Sequence, residues 1–272
     1  ARSAKVAPRY ALAFMALVCS PVSDRLARAL SRDGDVAVRT VTGTALVAEA
    51  ALRHGTGHTA SAALGRALLG ALLLGAGGKD GETLQLRLRG DGPLGSVLAI
   101  ADGEGGARGS VGTPVVDLPL RGGRLDVAGA LGLGELSVVR HRPGRGEPYT
   151  GIVPLVSGEI AQDLALYLTE SEQTPSAVAL GVYLEPDGRV LGAGGFLAYP
   201  LPGAGEAAVA ALERNVEAMG SLSERVRDGE SAEELALALL EGLGGRVLEA
   251  HRVGFHCPCD ESRVRRAVGM LG

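Results

Sequence analysis

Between Thr83 and Arg89 apolar and polar residues alternate strictly. Leu84, Leu86 and Leu88 fall on one side, Gln85, Arg87 and Arg89 on the other, and Gly90-Asp-Gly-Pro closes the run. A period of two with one apolar face predicts a half-buried strand of an antiparallel sheet. Similar short runs predict strands over 35–42, 95–101, 107–111, 135–142, 149–156, 176–184 and 190–199, with Gly- and Pro-containing turns between most of them. Glu185-Pro-Asp-Gly-Arg joins the last two and has Pro and Gly where a hairpin turn needs them.

Helical spacing interrupts the strands. Thr44 is positioned to cap a helix that runs to about His54 and stops at Gly55, and a second helix is expected over 59–76. The second contains Arg66 and many Ala and Gly residues, which marks a core helix and not a membrane span. Ser157 is expected to open a helix carrying Ile160, Leu164 and Leu168. Beyond Pro202 strands are expected to give way to helices. Val209, Leu212, Val216 and Met219 form one stripe. Ser221-Leu-Ser-Glu224 and Ser231-Ala-Glu-Glu234 both read as capping boxes, the second leading into Leu235, Leu239 and Leu243. Short helices rarely persist without packing partners, so this segment must draw its stability from the sheet.

The expected fold class is α+β: a mostly antiparallel sheet domain with packed helices over 24–202, a helical linker over 203–254, and the start of a small cysteine module over 255–272. Residues 1–23 read as an N-terminal extension. Arg2, Lys5 and Arg9 are basic, the first acidic residue is Asp24, and Tyr10 to Val18 is apolar. A secretory signal, a transit-peptide remnant and a plain extension all fit this pattern. Val18 ahead of Cys19 is a poor match to a lipoprotein cleavage site.

A chain of 272 residues buries about 70 to 75 per cent of its unfolded surface, so the core needs neither disulfide nor metal. A net charge of −4 with 3% aromatic residues argues against nucleic-acid binding. Three cysteines suit a reducing compartment, cytoplasm or plastid stroma.

Two of them, Cys257 and Cys259, stand one residue apart in Phe255-His-Cys-Pro-Cys. Two thiolates at that spacing can chelate one soft metal ion or be oxidised together, which is half of a zinc or redox site. His251 and His256 could add nitrogen ligands, although His256 adjoins Cys257; idle thiols are the plain alternative. No other pattern carries chemistry. Lys79 precedes Asp80 and not a hydroxyl residue, which removes a phosphate loop, and Gly132-Leu-Gly134 has no third glycine. There is no nucleophile elbow and no His-Glu-x-x-His run, so the chain does not read as an enzyme. His54, His58 and His141 read as solvated. Ser157 to Asp163 and Thr169 to Ser176 are dense in polar residues that helix capping accounts for.

Five segments in order carry a resemblance: Gly90-Asp-Gly-Pro-Leu-Gly, Ser157-Gly-Glu-Ile-Ala-Gln-Asp, Ser171-Glu-Gln-Thr-Pro-Ser, Ala193-Gly-Gly-Phe and Phe255-His-Cys-Pro-Cys. From about Asp24 onward the chain resembles the 33-kilodalton heat-shock protein family of redox-regulated chaperones. The resemblance implies an ATP-independent holdase for unfolding client proteins under oxidative stress, and leaves a homodimer open. It also implies zinc on four reduced cysteines that form disulfides when oxidised. Cys257 and Cys259 match the first pair. The second has no counterpart before Gly272, and Asp260 stands where the family usually has Ser. The expectation is an incomplete site that binds zinc weakly and gives little redox dependence in this chain by itself. Two other readings compete. Cys-Pro-Cys could be the dithiol of a thiol–disulfide oxidoreductase, since a disulfide over one residue is strained and oxidising. Alternatively the sheet domain binds a fixed partner and the cysteines are incidental.

Overall fold

The computed structural model describes residues 23–78, 81–116, 118–144, 148–258 and 261–270. The N-terminal extension with Cys19, the Lys79-Asp80 pair and Cys259 with Asp260 lie outside the described residues.

Two sheets enclose one helix. The first has the order β10-β1-β2-β9-β8, built from β1 (Arg25–Leu30), β2 (Val36–Thr42), β8 (Ala177–Leu184), β9 (Val190–Pro200) and β10 (Arg246–Arg252). The second runs β11-β5-β4-β3-β6-β7, from β3 (Thr83–Gly90), β4 (Ser96–Asp102), β5 (Gly106–Val111), β6 (Gly134–His141), β7 (Tyr149–Leu155) and β11 (Gly254–Phe255). All pairings are antiparallel except that of β11 with β5. The fold is therefore α+β, and the strand expected from the Leu84, Leu86, Leu88 alternation is β3, with those three side chains buried.

Helix α1 (Thr44–His54) leads into α2 (His58–Gly75), which is buried from Thr59 to Leu74 except at Arg66. A helix apolar on all sides needs cover on all sides. Leu180 and Val182 of β8 pack on it from one sheet; Leu86 of β3 and the backbone of Gly109 on β5 approach it from the other. Arg66, largely buried, pairs with Glu159 at 2.6 Å. No helix among the described residues is long and apolar enough to cross a membrane. Helix α3 (Val127–Leu131) fits against Gly90, where a Cβ would lie 1.8 Å from the Leu131 carbonyl, which explains the glycine in Gly90-Asp-Gly-Pro.

Three capping expectations are corrected. Thr44 does not cap α1: its Oγ1 accepts from Ala193 N–H at 3.1 Å, while Asp24 accepts from Ala45 at 3.2 Å and Leu46 at 2.6 Å. Ser157 does not open a helix. Its Oγ accepts from Glu159 N–H in a turn, and α4 (Ala161–Glu170) starts after Ile160. Ser221 precedes α6 (Leu222–Arg227) without a side-chain cap, whereas the box at Ser231 and Glu234 forms and starts α7 (Ala232–Leu239).

The expectation that strands end at Pro202 is also corrected. After α5 (Glu206–Ala218), α6 and α7 the chain returns as β10, pairing with β1 from Arg25↔Arg252 to Leu30↔Arg246, and then as β11 in the other sheet. Strand β10 carries no apolar alternation because it is an edge strand, held by its ladder and by ion pairs such as Arg28–Glu249 at 3.2 Å.

Candidate functional site

The first sheet is apolar on both faces. Its inner face joins the core around α2. Its outer face, with Ala29, Val36, Val38, Phe196 and Ala198, forms a second core with Ala208, Leu212, Met219, Leu222, Val226, Leu235, Leu239 and Leu240 of the α5–α7 segment. At about 1.5–3 kcal/mol for each large apolar side chain removed from water, this cover is what holds short helices in place.

Specific polar contacts fix the register. Thr40 Oγ1 donates to the Ala232 carbonyl at 2.6 Å in a buried position, and Arg25 pairs with Glu233 at 2.7 Å. Asn215 donates to the carbonyls of Leu239 and Glu241 at the end of α7. Helix α6 comes closest to the sheet: a Cβ on Gly192 would sit 2.1 Å from Ser223 O, so only glycine lets the helix reach β9. Within the Ala193-Gly-Gly-Phe segment, Gly194 and Phe196 belong to the docking face, with Phe196 as its anchor, while Ala193 and Gly195 face the inner core.

The cysteine end is stitched to both sheets. Val253 N–H donates to the Asp24 carbonyl, Gly254 N–H to Gly105 and His256 N–H to Ala107, at 3.1, 3.0 and 2.9 Å. Phe255 lies under the Arg53 guanidinium, 4.8 Å from the ring centroid. Cys257 follows directly, exposed, on a groove of about 440 Å³ with His54, Leu98, Ile100 and Arg108 among its lining. Helix α8 (Glu261–Gly269) comes after the undescribed Cys259.

Of the candidate ligands, His251 on β10 approaches Glu249 at 3.6 Å, and His256 packs beside Gly106. Among the described residues no group of three or more His, Cys, Asp and Glu is placed to hold a metal. Cys257, exposed, is one of the four donors a closed zinc site uses, so the described donors alone do not complete one.

The polar stretches have structural work. Asp163 is buried and accepts from Val156 and Ser157 N–H, both at 3.0 Å. Glu172 takes Tyr167 O–H at 2.9 Å and Arg140 at 2.7 Å; burial first, and then the Glu172 charge, push the Tyr167 hydroxyl well above its usual pKa. Of the histidines read as solvated, His58 is exposed, with Nε2 3.2 Å from the Glu185 and Pro186 carbonyls.

The Hsp33 protein family model matches residues 24–272. The chain belongs to the Hsp33 family. It is 46% identical over 252 residues to a 33 kDa chaperonin of Symbiobacterium thermophilum, covering 92% of this chain and 85% of that one. It is 44% identical over 253 residues to that of Geobacter sulfurreducens, covering 93% and 84%. The crystal structure of the 33 kDa chaperonin from Thermotoga maritima superposes with a TM-score of 0.83 at 34% identity, covering 92% of this chain and 86% of that one. Membership of Hsp33 thus rests on nearly all of the chain downstream of the extension, as the five segments imply. Sequence reasoning missed Arg53, Thr40, Asp24 and Gly192 in this site. Each acts on a residue far away along the chain, and no local spacing signals that.

Proposed function

We propose that this Hsp33 protein is an ATP-independent holdase chaperone, not an enzyme, and that Cys257 and Cys259 form the redox switch that frees its client-binding surface in the cytoplasm. The observation that carries the reading is the apolar outer face of the first sheet, covered by a short-helix segment whose far end runs through β10 and β11 straight into Cys257.

The chemistry lies in the two sulfurs. A Cys257 thiolate attacks peroxide to give a sulfenic acid and hydroxide, and the Cys259 thiolate then displaces hydroxide from that sulfur to close the disulfide. A disulfide over one intervening residue is strained, so its formation pulls on the chain just beyond Phe255. Strand β11 is two residues long and is the weakest joint of the segment. Loosening it frees β10 and the helices behind it, a segment of low local stability, and uncovers Phe196, Val36 and Val38 together with Leu222 and Val226 of α6 and Leu235 and Leu239 of α7 for unfolded clients. Zinc on Cys257 and Cys259 would hold both as thiolates, and two further donors must come from elsewhere to close that site.

The test compares reduced and peroxide-treated protein, at elevated temperature, for suppression of light scattering by an unfolding client. With the Cys257–Cys259 pair alone little difference is expected, whereas a form given a second Cys pair should hold more after oxidation, a gain lost in Cys257→Ser. Equal holding in both states of that four-cysteine form would remove the redox switch while leaving a chaperone. Turnover in an insulin-reduction assay would favour the oxidoreductase reading.

A further inference from the structure

We propose that the cleft where the two sheets part, at the C-terminal end of α2, binds a small organic phosphate carrying a planar ring, of nucleoside monophosphate size. The cleft measures about 610 Å³, within the usual range for small-molecule sites. It is separate from Cys257 and from the face under the linker: Leu197 and Tyr199 of β9 line it, whereas Phe196 and Ala198 face α5–α7.

Its charge is what an oxyanion requires. Arg39, Arg140 and Arg142 line it against Glu82 and Glu172, which leaves one positive charge in excess. Arg140 is committed to Glu172 at 2.7 Å, and Arg142 lies 3.4 Å from Glu82. Arg39 makes no ion pair among the described residues. Its Nη1 donates to the Leu73 carbonyl at 2.9 Å, and Tyr199 adjoins it. A guanidinium has five N–H donors, and Arg39 lines the cleft with those that the Leu73 carbonyl and Tyr199 do not use. Burial lowers its pKa, against the opposing pull of Tyr199. Such a fork matches phosphate oxygens. The negative end of the α2 dipole does not oppose an anion here, because the Leu73 and Leu74 carbonyls already accept from Arg39 and Arg140.

The remaining wall suits a ring. Tyr149 and Tyr199 line it together with Leu74, Leu168 and Leu197, two aromatic rings beside an apolar patch. One rim is the turn Ser171–Thr174, in which Gln173 is held at φ 53°, the one non-glycine residue with positive φ among the described residues. Backbone strain of this kind concentrates at ligand clamps, and Glu172 of the same turn holds Arg140 at the cleft.

The experiment is isothermal titration of the full chain with adenosine monophosphate, inorganic phosphate and adenosine. The nucleotide should bind saturably at or below millimolar concentration, with phosphate or adenosine alone at least about tenfold weaker. Arg39→Gln should weaken nucleotide binding about tenfold or more, as loss of a charge-assisted hydrogen bond requires. Because Arg39 also ties Leu73, Arg142→Gln at the half-exposed rim provides a variant that need not disturb the fold, and severalfold weakening is expected there. No saturable nucleotide binding at millimolar concentration, phosphate binding as tightly as the nucleotide, or unchanged affinity in folded forms of both variants would overturn the assignment.

Discussion

Arg53 of α1 stacks on Phe255, two residues ahead of Cys257, with the guanidinium carbon 4.8 Å from the ring centroid. Glu49 holds Arg53 from the preceding turn at 2.9 Å, so the stack ties the cysteine end to a helix capped by Asp24, the residue ahead of β1. A stack of this kind contributes about 0.5–2 kcal/mol. Phe255→Ala should therefore leave the fold intact while speeding alkylation of Cys257 and proteolysis around residues 253–262. Alkylation at the wild-type rate would mean that β11 does not depend on the stack.

Asp24 gives the chain a pH dependence. Burial pushes its carboxyl up to about 6, against the opposing pull of the Leu46, Ala45 and Thr44 N–H groups. The folded state therefore keeps a proton that the unfolded chain releases near pH 4. Stability from this group falls as pH rises from about 4 to about 6 and is level above that, by at most on the order of 2–3 kcal/mol for a shift of about two units. Urea titrations of wild type and Asp24→Asn should differ by an amount that changes across this window and nowhere else. Parallel curves would dismiss the assignment.

Gly192→Ala places a methyl group where Ser223 O now sits. Helix α6 must move off the sheet, at a cost of about 1–3 kcal/mol. If the linker covers the client surface, this variant should bind an apolar dye and hold a client in reductant without any oxidant. Wild-type dye binding in reductant would separate the docking face from the client surface.

Thr40→Val keeps the shape and removes the donor to the Ala232 carbonyl, which is left with its helical partner alone. The expected loss is about 0.5–1.5 kcal/mol. Amide exchange should quicken over 221–240 and not over β3 to β6. Uniform quickening throughout would show that the segment does not open as a separate unit.

Zinc content is the simplest measurement. The purified chain, with one Cys-x-Cys pair, should carry well under one zinc per monomer. Stoichiometric zinc would require a donor set beyond Cys257 and Cys259.

Strands β2 to β9 and helices α1, α2 and α7 were legible in the sequence because each declares itself over a few residues: a one-sided alternation at Leu84, Leu86 and Leu88, an unbroken apolar run in α2, a formed box at Ser231 and Glu234. The cysteine pair and the five ordered segments were legible for the same reason. Strands β1, β10 and β11, the cap on α1 and the clamp at Arg53 were not, because their partners lie far along the chain: Asp24 with Leu46, Arg25 with Glu233, Phe255 with Arg53. Periodicity reports which side of an element is buried, and it is blind to what does the burying. Only the packed chain decided that the linker covers the first sheet and that its end passes through both sheets to Cys257, since ladder bonds and close approaches such as Gly192 to Ser223 exist only once distant segments meet.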